Sequence, residues 1–446
     1  MDRFVESCRG KAVVLSGCGG GADVYGTALL LHGLQRVARK TVLVSLSFTH
    51  ETMLNQFAST TPDVVRRTLG RRLYFVQPNE GLATALLEKK DYFPEALMAA
   101  RIGHGVYIIV LPDLTIGGIK DCYRAIYEAE SLGPPVASAV EGGGGGAGGV
   151  GGAVGAMLAS ISSTVGRWWV TERPQDDGEQ NEDGTVGGGA EGAAPSPPPA
   201  VVLCLVDGGC DVLLTGLEEG GLATPVEDMM HLRATRDLCR YQQPGGPPPP
   251  TPTAAAEGPS AVSPSSNTRH HLFDESYVFA IGANVDCGHG VLPHVLDRRL
   301  AAITSSSSPS GDHDDEGASG GSGGDDSPNH KVEKDVVPLQ ALLTLSVPSA
   351  AWYYDMVMNC QPVCTNVQSF VCAALEGHRG FYTPPVLKDR IKESKIELRD
   401  QTATLYGFSH ERIAGDVRYL SLLDDRMDCG RVSRAISAFR RSIGMR

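Results

Sequence analysis

Apolar residues fall in two alternating rhythms along this chain. Lys11–Ser16 (KAVVLS) is a short continuous apolar run that leads directly into Gly17, Gly19, Gly20 and Gly21. From Gly26 the spacing turns helical, with Leu30, Leu31, Leu34, Val37 and Ala38 on one side and Gln35, Arg36 and Arg39 on the other. Strand, glycine loop and helix open a βαβ unit, and Thr41–Phe48 (TVLVSLSF) supplies its second strand, rich in β-branched residues. Further strands are predicted at Arg71–Val76, Gly105–Leu111, Val201–Val206 and Tyr277–Ala283. Helical sequence lies at Gly81–Lys89, Pro94–Arg101, Gly118–Leu132, Val291–Ala302 and Gln368–Leu375, and 342–347 (LLTLSV) reads as strand. Near-continuous apolar strands alternating with helices indicate a sheet buried on both faces. The predicted fold is therefore α/β: a Rossmann-like, doubly wound, mostly parallel sheet.

Three stretches break the rhythm. Residues 136–199 (Gly-rich, then acidic, then Pro-rich), 242–268 (Pro/Ala/Ser) and 303–334 (Ser/Gly/Asp) cannot bury enough apolar area to offset chain entropy, and they read as disordered insertions. The core is then assembled from 1–135, 200–241, 269–302 and 335–446, about 300 residues in all. This division changes the meaning of the formal charge of −13. Residues 136–199 hold eight acids and two bases, 242–268 one acid, and 303–334 seven acids and two bases, which leaves the core at about −1. A broad basic face for nucleic acid is not expected. Gly142–Gly166 is uncharged, but eleven of its residues are glycine, too few apolar side chains for a membrane span. The eleven cysteines form no CxxC pair and several sit in apolar runs, as expected of reduced, buried thiols. With MDRFVESCRGKAVVL at the start, unlike a secretory signal, a cytoplasmic location is expected.

Candidate chemistry gathers at predicted strand ends, which in open α/β sheets line the ligand crevice. Gly17, Gly19, Gly20, Gly21 and Asp23 lie in a G-x-G-x-x-A loop between strand and helix, suited to close approach of a phosphate; a tight turn needing glycine for sterics is the plainer alternative. The second strand carries no acid at its tip, running instead into Ser47-Phe48-Thr49-His50-Glu51, which argues against dinucleotide binding. Asp207, Gly208, Gly209 and Asp211 follow one strand, Asp113 another, and Asn284, Asp286 and His289 a third. Asp207, Asp211, Asp113 and His289 are the candidate catalytic groups. Asp207 and Asp211 are the candidate ligands for Mg²⁺ or another divalent cation, because carboxylates supply hard oxygen donors. Turn capping is the competing role for Asp207 and Asp113. The Gly216–Gly221 loop, too glycine-rich for a helix and too acidic for a core, is expected to be mobile and to bring Glu219 over the site. Thr224-Pro225-Val226-Glu227 reads as a helix cap box, leaving Asp228 free for a ligand.

Gly19–Gly26 (GGGADVYG), Val206–Asp228 and Thr365–Gly380 (TNVQSFVCAALEGHRG) resemble, in order, the glycine-rich opening, central Asp-Gly-Gly block and late Ala-x-Glu-Gly segment of the prokaryote-rich family catalogued as domain of unknown function 1152. The matching positions are Asp23, Asp207, Gly208, Gly209, Asp211, Glu219, Thr224, Pro225, Glu227, Asp228, Glu376 and Gly377. The resemblance implies a Rossmann-like domain and transfers no activity; the insertions depart from it and suggest a eukaryotic version. The expected function is binding of a small phosphorylated or polyhydroxylated metabolite, with hydrolysis or group transfer as the reaction classes that fit carboxylates without a G-x-S-x-G or reactive-cysteine motif. The alternatives are a non-catalytic sensor or scaffold whose insertions bind partners, and an NAD-linked oxidoreductase. The expected partner is a small molecule, with no nucleic acid and no membrane; homo-oligomerisation stays open.

Overall fold

The computed structural model describes residues 2–20, 22–111, 113–132, 200–223, 225–239, 271–304, 347–360, 366–389 and 396–445. Its helices are α1 (Asp2–Ser7), α2 (Ala28–Leu34), α3 (Glu51–Thr60), α4 (Glu80–Lys89), α5 (Pro94–Ile102), α6 (Ile116–Ala129), α7 (Val226–Arg236), α8 (Pro293–Thr304), α9 (Val347–Asn359), α10 (Asn366–Leu375), α11 (His410–Asp416) and α12 (Cys429–Ser442). The strands are β1 (Ala12–Gly17), β2 (Lys40–Ser47), β3 (Val65–Leu69), β4 (Leu73–Val76), β5 (Val106–Val110), β6 (Val201–Asp207), β7 (Glu275–Ile281), β8 (Gly380–Phe381), β9 (Glu397–Leu398) and β10 (Leu405–Ser409).

Eight strands form one sheet in the order β10-β7-β6-β1-β2-β5-β4-β3, and the five from β7 to β5 are parallel. The chain winds outward from β1 through β2 to β5, then returns to the other side of β1 to lay down β6 and β7. The strand order therefore reverses between β1 and β6, where the crossovers leave in opposite directions and open a crevice at the strands' carboxyl ends. Gly17 pairs with Val206 across this junction, so the glycine loop and Asp207 emerge side by side.

Period-two alternation explains why both faces are covered. On β1, Ala12 and Val14 pack into a core shared with α6, α7, α8, α11 and α12, while Val13 and Leu15 face a second core with α1, α2, α5, α9 and α10. All six residues of β1 and all seven of β6 are buried, which selects the continuous apolar runs read in the sequence.

The sheet edges differ from expectation. Arg71–Val76 yields only β4, which runs antiparallel to β5 and forms a hairpin with β3, a strand too rich in arginine to stand out by hydrophobicity. β10 (LYGFS) closes the opposite edge antiparallel to β7 and also escaped pattern reading, being short and broken by Gly407. A short helix, α1, precedes β1. Of the predicted strand 342–347, residues 342–346 lie outside the described residues and Val347 opens α9. The bulk of each predicted insertion likewise lies outside the described residues. The ten cysteines among the described residues are free, eight of them buried. Among the described residues no helix is long and apolar enough to cross a membrane.

Candidate metal centre at the β1/β6 rim

Four elements bring carboxylates to the crevice. Asp23 begins a short 3-10 turn after the glycine loop, Asp207 is the last residue of β6, Asp228 sits in the first turn of α7, and Asp286 lies in a 3-10 turn after β7. Asp211, opening the turn Asp211–Leu213, adds a fifth. One ligand oxygen from each of Asp23, Asp207 and Asp228 lies within 4.8 Å of the other two.

The glycines make this crowding sterically possible. A Cβ on Gly19 would lie 2.6 Å from Asp23 Oδ2 and 3.1 Å from Asp228 Oδ1. One on Gly208 would collide with Asp23 Oδ1, and one on Gly209 would lie 2.5 Å from Asp286 Oδ2. The glycine loop is thus shaped around carboxylates of its own chain. Its amides are occupied accordingly: Gly19 N–H donates to Asp23 Oδ2 at 3.1 Å, the Gly208 amide also bonds Asp23, and Cys18 N–H goes to the Val206 carbonyl at 2.7 Å. Asp23 sits where a bound phosphate had been expected.

Hydrogen bonds satisfy only part of the cluster. Gln368 Nε2 on α10 approaches Asp23 Oδ1 at 3.4 Å, Val212 N–H reaches Asp207 Oδ2 at 3.4 Å, and Cys210 N–H donates to Asp286 Oδ2 at 2.6 Å. Asp228, 3% exposed, keeps its Oδ1 buried with no hydrogen-bond partner. Buried polar atoms are nearly always paired, so this oxygen stands out, while the Cys18 thiol hydrogen-bonds the same carboxylate. Burial pushes Asp23, Asp207 and Asp228 well above the ordinary carboxylate range, and the Asp211 charge adds to the rise in each. Asp286 is raised to about 8 by the same two causes. No basic side chain is among the main influences on any of the four; the nearby charges that matter most are other carboxylates. An all-oxygen donor set of this kind fits a hard divalent cation such as Mg²⁺, Mn²⁺ or Ca²⁺.

Helix α7 also fixes the loop. One turn after Asp228, the fully buried His231 places Nδ1 2.8 Å from the Cys18 carbonyl and Nε2 against the Tyr123 hydroxyl, which also bonds Ser16 Oγ at 2.9 Å. Burial lowers the His231 pKa to about 4, so it acts as a neutral strut. The Cys18 and Cys210 thiols are pushed well up by burial and stay protonated, which removes them as nucleophiles. At the tip of β2, where the sequence shows no acid, Glu95 arrives from α5, accepting from Ser45 Oγ at 2.7 Å and Thr49 Oγ1 at 2.9 Å.

Not every expected residue joins the cluster. Asp113 is exposed in a left-handed turn (φ 62°), consistent with a turn role at the end of β5. Glu219 is exposed and is not part of the carboxylate triad. The Gly216–Gly221 loop, expected to be mobile, carries a set of hydrogen bonds within itself and to the core. Glu218 accepts from Thr215 N–H and Gly216 N–H at 2.7 Å, Gly221 N–H reaches the Gly290 carbonyl at 2.8 Å, and Arg440 of α12 donates to the Gly216, Glu218 and Gly220 carbonyls. Asn284 is spent on structure: Nδ2 donates to the Glu397 carbonyl and Oδ1 accepts from Thr402, each at 2.6 Å. Asp211 contributes charge but is not in the closest triad, where Asp23 and Asp228 take the place expected for it. Gly21, Thr224 and the His289 side chain lie outside the described residues. Helix α7 begins at Val226 with Pro225 at the cap position, one residue later than the expected box. Gln368, His231 and Glu95 were missed; the available signal for Gln368 was a single amide opening an otherwise apolar helical run.

Gly208→Ala tests the steric reading. The new methyl group should displace the Asp23 carboxylate, weakening any divalent-cation response at least tenfold while circular dichroism keeps the wild-type helix content; an unchanged response would mean that the close approach is dispensable. No family model, curated protein or solved structure matches this chain, so the family resemblance rests on its residues alone.

Proposed function

We propose that the β1/β6 rim binds a divalent cation through Asp23, Asp207 and Asp228, and through it a small phosphorylated or polyhydroxylated metabolite. The observation that carries this reading is the buried, unpartnered Oδ1 of Asp228 beside two further carboxylates. A cation there would neutralise the cluster and polarise a ligand oxygen as a Lewis acid. Asp23 is the half-buried member of the triad, so a ligand approaches from its side, over Gly20 and Gly208. Hydrolysis or group transfer is the class of reaction that suits carboxylates without an activated nucleophile. Family membership in the group of unknown function 1152 is part of the same proposal and adds no activity to it.

Lacking a basic partner, the site should repel a free oxyanion. Titration calorimetry should therefore show Mn²⁺ binding, and inorganic phosphate binding in its presence and not without it, with both heats lost in Asp207→Asn. Phosphate binding equally well to the metal-free protein would overturn the reading; ligand binding without turnover would make the protein a sensor.

A further inference from the structure

Phe48 follows the last residue of β2 and leaves 48% of its surface in solvent. Its ring lies flush against Gly20, where an added Cβ would run into the Cε2, Cδ2 and Cζ atoms. The preceding residue, Gly19, meets Asp23 and Asp228 in the same way. Two consecutive glycines, about 3.8 Å apart between Cα atoms, therefore hold the carboxylates on one side and the aromatic ring on the other. Gly20, Asp23 and Gly208 are the partly exposed positions of the rim, and the ring stands at that opening.

From this geometry we propose that Phe48 is a stacking platform for a planar ring in the ligand, which narrows the metabolite to a nucleoside 5′-monophosphate. The inference rests on the cation reading above, because the phosphate is seated by the metal. An exposed aromatic face binds a heterocycle with little regard to its identity. Because neighbouring loop glycines meet the carboxylates and the ring, a ligand whose base and metal-bound oxygens are one sugar unit apart would engage both. A sugar phosphate would satisfy the carboxylates and leave the ring unused.

Equilibrium binding of adenosine 5′-monophosphate and of ribose 5-phosphate to the full chain in saturating Mn²⁺ tests the assignment. Wild type should bind the nucleotide about tenfold or more tighter than the sugar phosphate. Phe48→Ala should erase that preference while leaving ribose 5-phosphate and Mn²⁺ affinities unchanged, and Phe48→Trp should restore it. Equal affinity for the two compounds in wild type, or nucleotide binding unaffected in Phe48→Ala, would overturn the platform and leave the cation site standing. Failure of wild type to bind Mn²⁺ would remove the cation site and this inference with it. Because Phe48 is half exposed, its replacement spares the core.

Discussion

Stripped of divalent cations, the protein should lose stability as the pH rises from about 5 to 8.5, and adding Mg²⁺ or Mn²⁺ should restore it. The four shifted carboxyls set the sign. An aspartyl group in the unfolded chain titrates near 3.8, whereas burial and the Asp211 charge raise Asp286 to about 8 in the folded protein and push Asp23, Asp207 and Asp228 well above their ordinary range. Between these limits the folded state binds more protons than the unfolded state, so the stability fully present below pH 3.8 is lost as the pH climbs through about 8. Mutual repulsion makes the groups titrate as a set, and the fall should amount to roughly 3 kcal/mol, or on the order of 6 °C in Tm. A cation replaces the protons, so its stabilising effect should grow with pH and its binding should release protons. Thermal melts across pH with a chelator and with each cation check this; a chelated protein whose Tm is flat or rises between pH 5 and 8.5 would show that the cluster carries no such strain.

Asp228→Asn should separate stability from function. The substitution keeps the side chain's shape while removing a buried carboxyl that burial, and then the charges of Asp211, Asp23 and Glu227, hold back from ionising. At pH 8 the chelated variant should melt about 2–5 °C above the chelated wild type, yet show almost no rise with Mn²⁺. Stabilisation follows from removing a carboxyl that ionises freely only in the unfolded chain, and loss of response from a missing ligand oxygen, two consequences of one atom. A variant that melts lower than wild type while keeping the full Mn²⁺ response would assign Asp228 to the fold alone.

Much of this architecture was legible because burial on both faces writes itself into sequence. β1, β2, β5, β6 and β7 are built on apolar runs, and their alternation with helices leaves few topologies other than a doubly wound sheet. The edges were hidden for the opposite reason. β3 carries Arg66 and Arg67, whose side chains cover Phe75 and Tyr74, so its strand character comes from pairing and from cation–π contact and not from hydrophobicity. At the site, Asp23, Asp207, Asp211 and Asp286 stood out as polar residues beside strand ends and Asp228 as the acid after a helix cap, and strand order brings them together. What the sequence could not convey is direction. Asn284 looks as available as Asp286 in one dimension, yet its amide is consumed by Glu397 and Thr402. Glu218 and Glu219 are adjacent, and one is buried in hydrogen bonds while the other is exposed. The glycine loop was readable as a cradle, but its occupant was not, since only coordinates place the Asp23 carboxylate on the Gly19 amide.

The cation triad is tested most directly by anomalous X-ray scattering at the manganese edge from crystals grown with Mn²⁺. A single dominant peak bonded to oxygens of Asp23, Asp207 and Asp228 is the predicted result. A fully occupied Mn²⁺ elsewhere, with these three carboxylates unchanged and unliganded, would contradict it.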